Sequence, residues 1–272
     1  MTAKSNPAAL LAWYLDAGVD ETIGETPLDR YAPAVVAPKP AAPETVPDPP
    51  VKAVEASLPQ APPPVRRETP SEAGDSHSLA QACANLDQLR AAIEGFEGGA
   101  LKKTASHTVI ADGNPEARIM FVGEAPGAEE DRRGLPFVGK AGQLLDRMLA
   151  AIGLDRTTVY ITNVLPWRPP GNRNPTPEEI ALCLPFVERQ VELVAPRLLI
   201  LVGGISAKSM LDRTEGITRL RGKWYEHTSA AGGTTIPTTA IFHPAYLLRQ
   251  PALKREAWRD LQAIRRKLDE TT

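Results

Sequence analysis

The chain has 272 residues, 42% of them hydrophobic, and a formal net charge of −2. That length allows one or two domains with a sizeable core, and a total of two cysteines, Cys83 and Cys183, excludes a disulfide framework and a four-cysteine metal site. The charge is uneven: residues 1–77 hold 6 basic and 11 acidic side chains and the rest hold 25 and 22, so a mildly basic body, compatible with a polyanionic ligand, follows an acidic tail.

Residues 7–18 (PAALLAWYLDAG) read as a short helix with Leu10, Leu11, Tyr14 and Leu15 on one face and Gly18 as its stop. Asp16, Asp20 and Glu21 follow at once with no small-residue cleavage pattern, which argues against a signal peptide. No apolar run reaches membrane-spanning length, and the expected location is the cytoplasm. Twelve prolines stand between residues 33 and 70. Such a segment buries too little apolar surface to offset its ordering entropy and reads as a semi-extended, disordered linker. The domain reading is a helix and flank at 1–30, a Pro/Ala-rich linker at 31–77 and a globular domain at 78–272.

Within that domain a helix is expected at 79–95, ending at Gly95. Strand and helix then alternate: strand 118–122, helix 140–152, strand 159–164, helix 177–194, strand 198–203, helix 205–212, strand 237–242 and a closing helix at 252–268. Thr176 with Glu179 forms a capping box, and Pro177 takes the first helical position. The strands are apolar throughout, as in a parallel sheet covered on both faces. The expectation is an α/β fold, a three-layer α/β/α sandwich with a mainly parallel four-stranded central sheet and a disordered N-terminal tail.

Each strand empties into a chemically suggestive turn. The first leads into Gly123-Glu124-Ala125-Pro126-Gly127, the second into Asn163, the third into Gly203-Gly204 and the fourth into His243-Pro244. Ligands bind at the carboxyl ends of such strands, so a carboxylate, an amide, a glycine pair and an imidazole are expected along one sheet edge. The segment 123–127 lacks the spacing of a dinucleotide fingerprint, and Gly203 to Ser209 lacks the ending of a phosphate loop.

These elements together resemble the uracil-DNA glycosylase superfamily, most closely its family 4 branch. The resemblance spans about 110 to 270. It rests, in order, on GEAPG, RGLPFVGKAGQLLDRMLAAIGL, VYITNV, RPPGNRNPTPEE and HPAYLLR. It implies an enzyme that flips uracil out of DNA and hydrolyses its N-glycosidic bond. By resemblance Gly123 and Ala125 line the base site, the Phe137 ring stacks on the flipped base and Asn163 reads its edge. A side-chain amide offers a donor and an acceptor, which complement uracil O4 and N3–H and oppose cytosine. His243 matches the donor to uracil O2, where negative charge develops as the base departs. Tyr246, Leu247, Leu248 and Arg249 match a loop that enters the minor groove. Glu124 matches the carboxylate of the first motif. Other branches carry an Asp one position on, where this chain has Ala125, so the attacking water falls to Glu124, to Asn172 or to backbone carbonyls. Arg168, Arg173 and Lys140 are phosphate contacts or solvated surface.

Family 4 enzymes usually hold a [4Fe–4S] cluster on four cysteines. The corresponding positions here are Phe96, Gly99, Trp167 and Cys183, so neither a cluster nor any other metal is expected, and Phe96 and Trp167 are expected to fill the space. Asn174 stands where one branch places a histidine that traps DNA covalently, so no trapping is expected. No matched motif offers a lysine nucleophile, which points to a monofunctional glycosylase that leaves an abasic site, and a monomer is expected. The rival readings are a catalytically silent nucleic-acid-binding protein of the same fold and a polymerase-associated accessory module. Uracil-containing DNA is the expected partner, with residues 7–18 as a possible docking helix for a repair or replication protein, and no membrane association.

Overall fold

A computed structural model describes residues 71–228 and 235–271. The helix expected at 7–18 and the proline-rich stretch lie outside them, and the described residues all belong to the second of two units, 63–272. In chain order the elements are α1 (Ser71–Ala82), α2 (Leu86–Gly95), α3 (Gly99–Thr104), β1 (Ala111–Gly113), β2 (Ile119–Gly123), α4 (Ala128–Arg133), α5 (Lys140–Ala150) and β3 (Tyr160–Asn163). They continue with α6 (Pro177–Val194), β4 (Leu198–Val202), α7 (Gly204–Leu211), α8 (Ile217–Leu220), β5 (Trp224–His227), β6 (Ile236–Ile241), α9 (Pro244–Arg249) and α10 (Lys254–Glu270).

The four apolar runs form the four parallel strands, and β2, β3 and β4 are buried at every position. Successive strand side chains point to opposite faces. Met120 and Val122 join one core with Leu89, Ile93 and Phe186, whereas Ile119 and Phe121 join another with Leu145, Leu149 and Ile264. Helices α2 and α6 therefore cover one face and α5 and α10 the other, giving three layers.

The sheet has six strands, in the order β1-β3-β2-β4-β6-β5, rather than the four expected. The additional strands are the two edges, and both run antiparallel to their neighbours. Neither shows the apolar run of a doubly covered strand. Strand β1 is three residues long, and β5 (WYEH) is buried only at His227. The helix expected at 79–95 is two helices, broken at Cys83-Ala84-Asn85, where the Asn85 side chain caps α2 by accepting from the Gln88 N–H. The capping box of α6 forms as expected: the Thr176 hydroxyl accepts from the Glu179 N–H, and the Glu179 carboxylate accepts from the Thr176 N–H.

Strand β2 pairs with β3 on one side and β4 on the other, so the chain reverses its direction of winding between them. That reversal opens a crevice beyond the carboxyl ends of β2 and β4.

A buried ion pair ties the far edge to α6. His227 is 5% exposed, with Nδ1 at 3.1 Å from the Met210 carbonyl and Nε2 at 3.1 Å from Glu188 Oε2. Both ring nitrogens face acceptors, the arrangement of an imidazolium. Burial opposes its charge, but the hydrogen bond to Glu188, that residue's charge and the Met210 carbonyl outweigh it and raise the pKa above 6.5. A raised folded pKa gives stabilisation that is complete below the unfolded value and is lost as pH rises through the folded one. Glu188→Gln should therefore cost about 1.5–3 kcal/mol at acidic pH and less in alkali. Denaturant titrations at pH 6 and pH 9 measure this; an equal cost at both would contradict the charged pair.

Candidate active site

The crevice holds a cavity of about 430 Å³. One wall is the turn after β2. Gly123 ends the strand and Glu124 is half-buried beside the cavity, with its carboxyl pKa raised by burial. No hydrogen bond from the described residues occupies that carboxylate. The turn hands over to α4, whose Glu130 accepts through Oε2 from the Gly127 N–H at 3.2 Å. Through Oε1 it accepts from the Val138 and Gly139 N–H groups at 2.9 and 2.8 Å. This one carboxylate thus joins the turn after β2 to the loop that carries Phe137.

The Phe137 ring packs against the end of β2. A Cβ on Gly123 would lie 2.6 Å from Phe137 Cζ and would also collide with Asn163 Oδ1. Asn163, at the end of β3, pairs in register with Gly123 and is 5% exposed. It has no hydrogen-bonding side-chain partner among the described residues, so its amide is available to the cavity that it lines.

His243 follows β6 and caps α9. Its Nδ1 accepts from the Ala245 N–H at 3.2 Å. An acceptor at Nδ1 leaves the proton of the neutral ring on Nε2. Burial, with the Arg249 charge as a lesser cause, lowers the pKa to about 4, so His243 is a neutral donor at physiological pH. Its ring centroid lies 5.7 Å from that of Phe137.

Glu124, Ala125, Phe137, Asn163, Asn172 and His243 all line this cavity, as do Tyr246 and Arg249. Asn172 sits in the 3-10 turn Pro170–Asn172, is exposed, and has its Oδ1 engaged by Arg168 Nε at 2.6 Å. Arg173 also lines the cavity, yet its guanidinium pairs with both oxygens of Glu179, at 2.6 and 2.8 Å. The four residues expected to form a groove-entering loop divide. Leu248 is 39% exposed, Arg249 is exposed and stacks at 6.0 Å from the Tyr246 ring, and Leu247 is 1% exposed in the core with α5 and α10. Leu247 is thus a packing residue: the helical turn of α9 points it inward while its neighbour points out. Lys140 is exposed at the start of α5. Glu130 was not anticipated from the sequence; the Gly127-x-x-Glu130 spacing, a capping signature, is the signal that could have found it.

Of the positions matched to cluster ligands, Trp167 and Cys183 are in the core on the α2/α6 face and Phe96 packs against it, whereas a Cβ on Gly99 would meet no other atom within 4 Å. Trp167 is fully buried, with Nε1 donating to Thr108 Oγ1 at 3.0 Å. Its ring stacks on Phe96 at 6.5 Å, and Phe96 meets Phe186 edge-on at 5.2 Å. Cys183 is fully buried, and its thiol is pushed up to about 12, mainly by burial. Among the described residues no group of three or more metal-ligating side chains occurs, and no helix is long and apolar enough to cross a membrane.

Known proteins are similar to this chain in sequence. Residues 110–262 match the model of the uracil DNA glycosylase superfamily. The chain is 42% identical over 184 residues to a type-4 uracil-DNA glycosylase of Archaeoglobus fulgidus, covering 66% of this chain and 92% of that protein. It is 33% identical over 150 residues to a type-5 uracil-DNA glycosylase of Pyrobaculum aerophilum, covering 50% and 64%. A DNA polymerase of Bacillus phage SP01 shares 33% identity over 165 residues, 60% of this chain and 17% of the polymerase. With more than half of the chain matched by the family model and 92% of the type-4 relative covered at 42% identity, the chain belongs to the uracil DNA glycosylase superfamily.

Proposed function

We propose that the protein excises uracil from DNA as a monofunctional glycosylase, with water as the nucleophile. The observation that carries this reading is the convergence of three different groups on one cavity: the Phe137 face, the unengaged Asn163 amide and the neutral His243 imidazole with its proton on Nε2. An aromatic face suits any flipped base. The amide selects the donor–acceptor edge of uracil over the inverted edge of cytosine, and buried mismatches of that kind support large discrimination.

Water adds to C1′ as the bond from C1′ to uracil N1 breaks. The bonding electron pair leaves with the base and is shared with O2. A donor at O2 gains strength as that charge develops, so it stabilises the transition state more than the ground state. A neutral His243 donates without carrying a full charge into the buried site. The water proton passes to a base on the opposite side, and Glu124 fits that part better than Asn172. Its carboxylate is half-buried and unengaged, whereas the Asn172 oxygen already accepts from Arg168. No lysine lines the cavity among the described residues, in keeping with hydrolysis rather than imine chemistry. Leu248 and Arg249, exposed beside the cavity mouth, supply the apolar wedge and its basic flank.

The cluster usual in the resembled branch has no fitting site here. Of the four matched positions only Cys183 offers a thiolate ligand; Trp167 and Phe96 occupy the space with stacked rings, and Gly99 has no side chain. No step of the reaction is routed through iron. The purified protein should therefore be colourless and free of stoichiometric iron by elemental analysis. Trp167→Ala should cost about 3–5 kcal/mol in denaturant unfolding, as for other buried aromatic truncations. Stoichiometric iron, or a Trp167→Ala cost near zero, would contradict the apolar replacement.

His243→Ala tests the chemistry. It should lower single-turnover uracil release by about 10²–10³-fold, the usual loss for one such donor, while affinity for uracil-containing duplex changes little. Cleavage at the wild-type rate would make the residue merely structural. The pH dependence tests Glu124. Its raised pKa means that the ionised form is lost as pH falls through a value above 4.5, whereas His243 titrates lower, at about 4. Single-turnover rates should show an acidic limb with an apparent pKa above 4.5, and Glu124→Gln should be slow with that limb gone. Persistence of the limb in Glu124→Gln would assign it elsewhere.

A further inference from the structure

Phe137 holds its ring in the cavity wall from a backbone conformation that costs an aromatic residue energy. Its φ is +54°, in the left-handed region, where a non-glycine residue is strained and persists only when its surroundings over-determine it. The following helix contributes space, because a Cβ on Gly142 would collide with the Phe137 carbonyl. Two side chains hold the loop itself: Glu130, which lines the cavity, and Arg156, which does not.

Arg156 lies between α5 and β3 and is 24% exposed. Its Nη1 donates to the Pro136 carbonyl at 3.1 Å, and its Nη2 donates to the Phe137 carbonyl. The same guanidinium is itself fixed from two directions. Nη1 donates to Asp112 Oδ2 of β1 at 2.5 Å, and Nε donates to Asp146 Oδ1 of α5 at 2.8 Å. On the opposite flank Glu130 takes the N–H groups of Val138 and Gly139. The three peptide units around Phe137 are therefore gripped by a cation on their carbonyls and an anion on their amides, each anchored to regular structure.

We infer that Arg156 is a positioning residue for the base-stacking wall: acting through the Pro136 and Phe137 carbonyls, it locks the Phe137 ring at the cavity. This role deepens the uracil-excision reading and rests on it for its kinetic readout. A planar fork with several fixed donors reaches two carbonyls and two carboxylates at once, whereas a lysine ammonium does not. Arg156→Lys therefore keeps the charge between Asp112 and Asp146 while giving up the grip.

The test is a double-mutant cycle with a second, activity-independent readout. In wild-type protein Arg156→Lys should slow single-turnover uracil release by about 10–10²-fold, the usual loss when a reacting group is slightly misplaced. Affinity for duplex carrying an abasic-site analogue, which has no base to stack, should stay within about twofold. In a Phe137→Ala background the same substitution should change the rate by less than about threefold, because residues that act as a unit are non-additive. Amide hydrogen exchange across residues 134–143 should be faster in Arg156→Lys than in wild type. Equal slowing in both backgrounds, or unchanged exchange in that segment, overturns the role. Asp112→Asn, which loosens Arg156 without removing it, should give the same pattern more weakly and replaces Arg156→Lys if that variant does not fold. If wild-type protein releases no uracil, the activity reading has failed, and the exchange measurement alone decides the part played by Arg156.

Discussion

At the carboxyl end of β2 there is no room for a side chain. The Gly123 Cα faces the Phe137 ring and the Asn163 amide so closely that a methyl group would overlap both. The meeting of an aromatic face from one loop with an amide from the neighbouring strand depends on that missing atom. Everything else at the site is arranged around it. Parallel pairing sets Asn163 beside Gly123, the Glu130 carboxylate draws the Phe137 loop over the strand end, and His243 closes the far side from β6. Preorganisation of this kind is achieved in the fold, before any substrate enters.

The electrostatics follow from the same crowding. Burial pushes His243 toward its neutral form and Glu124 toward protonation, and each shift is a statement about what a low-dielectric cleft tolerates. The cationic groups are kept to the rim, where Arg249 is exposed and Arg173 is held by Glu179. A neutral imidazole within the cavity thus stands behind positive charge at its mouth, an arrangement that attracts anions to the rim.

How much was legible in the sequence depended on the range of the interaction concerned. Strands β2 and β4 are unbroken apolar runs, β3 and β6 mix threonines with apolar residues ahead of Asn163 and His243, and the Thr176–Glu179 cap is a local code, so these four strands and α6 could be read directly. Edge strands β1 and β5 carry no such signal, because β1 has no buried residue and β5 is buried only at His227. Phe137, Asn163 and His243 were legible because chemistry collects at strand ends and the surrounding motifs are distinctive. Arg156 was not: its contacts with Asp112 and Phe137 span 44 and 19 residues and exist only once β1, α5 and the Phe137 loop are packed. The Leu247–Leu248 pair shows the finer limit. Neighbouring leucines in a helical turn differ in role through helix phase alone, and phase in so short a helix is set by what it packs on. That Trp167 stacks on Phe96 and hydrogen-bonds Thr108 is likewise a property of the packed core, not of the local sequence.

A pocket built from an aromatic face, one amide and one neutral imidazole should distinguish bases by edge. The most direct measurement is single-turnover release of free base by the wild-type protein from otherwise identical duplexes carrying uracil or cytosine at one position. Uracil should be released, leaving an alkali-labile abasic site, with cytosine left in place. Intact uracil-containing strands, or equal release from both duplexes, would contradict it.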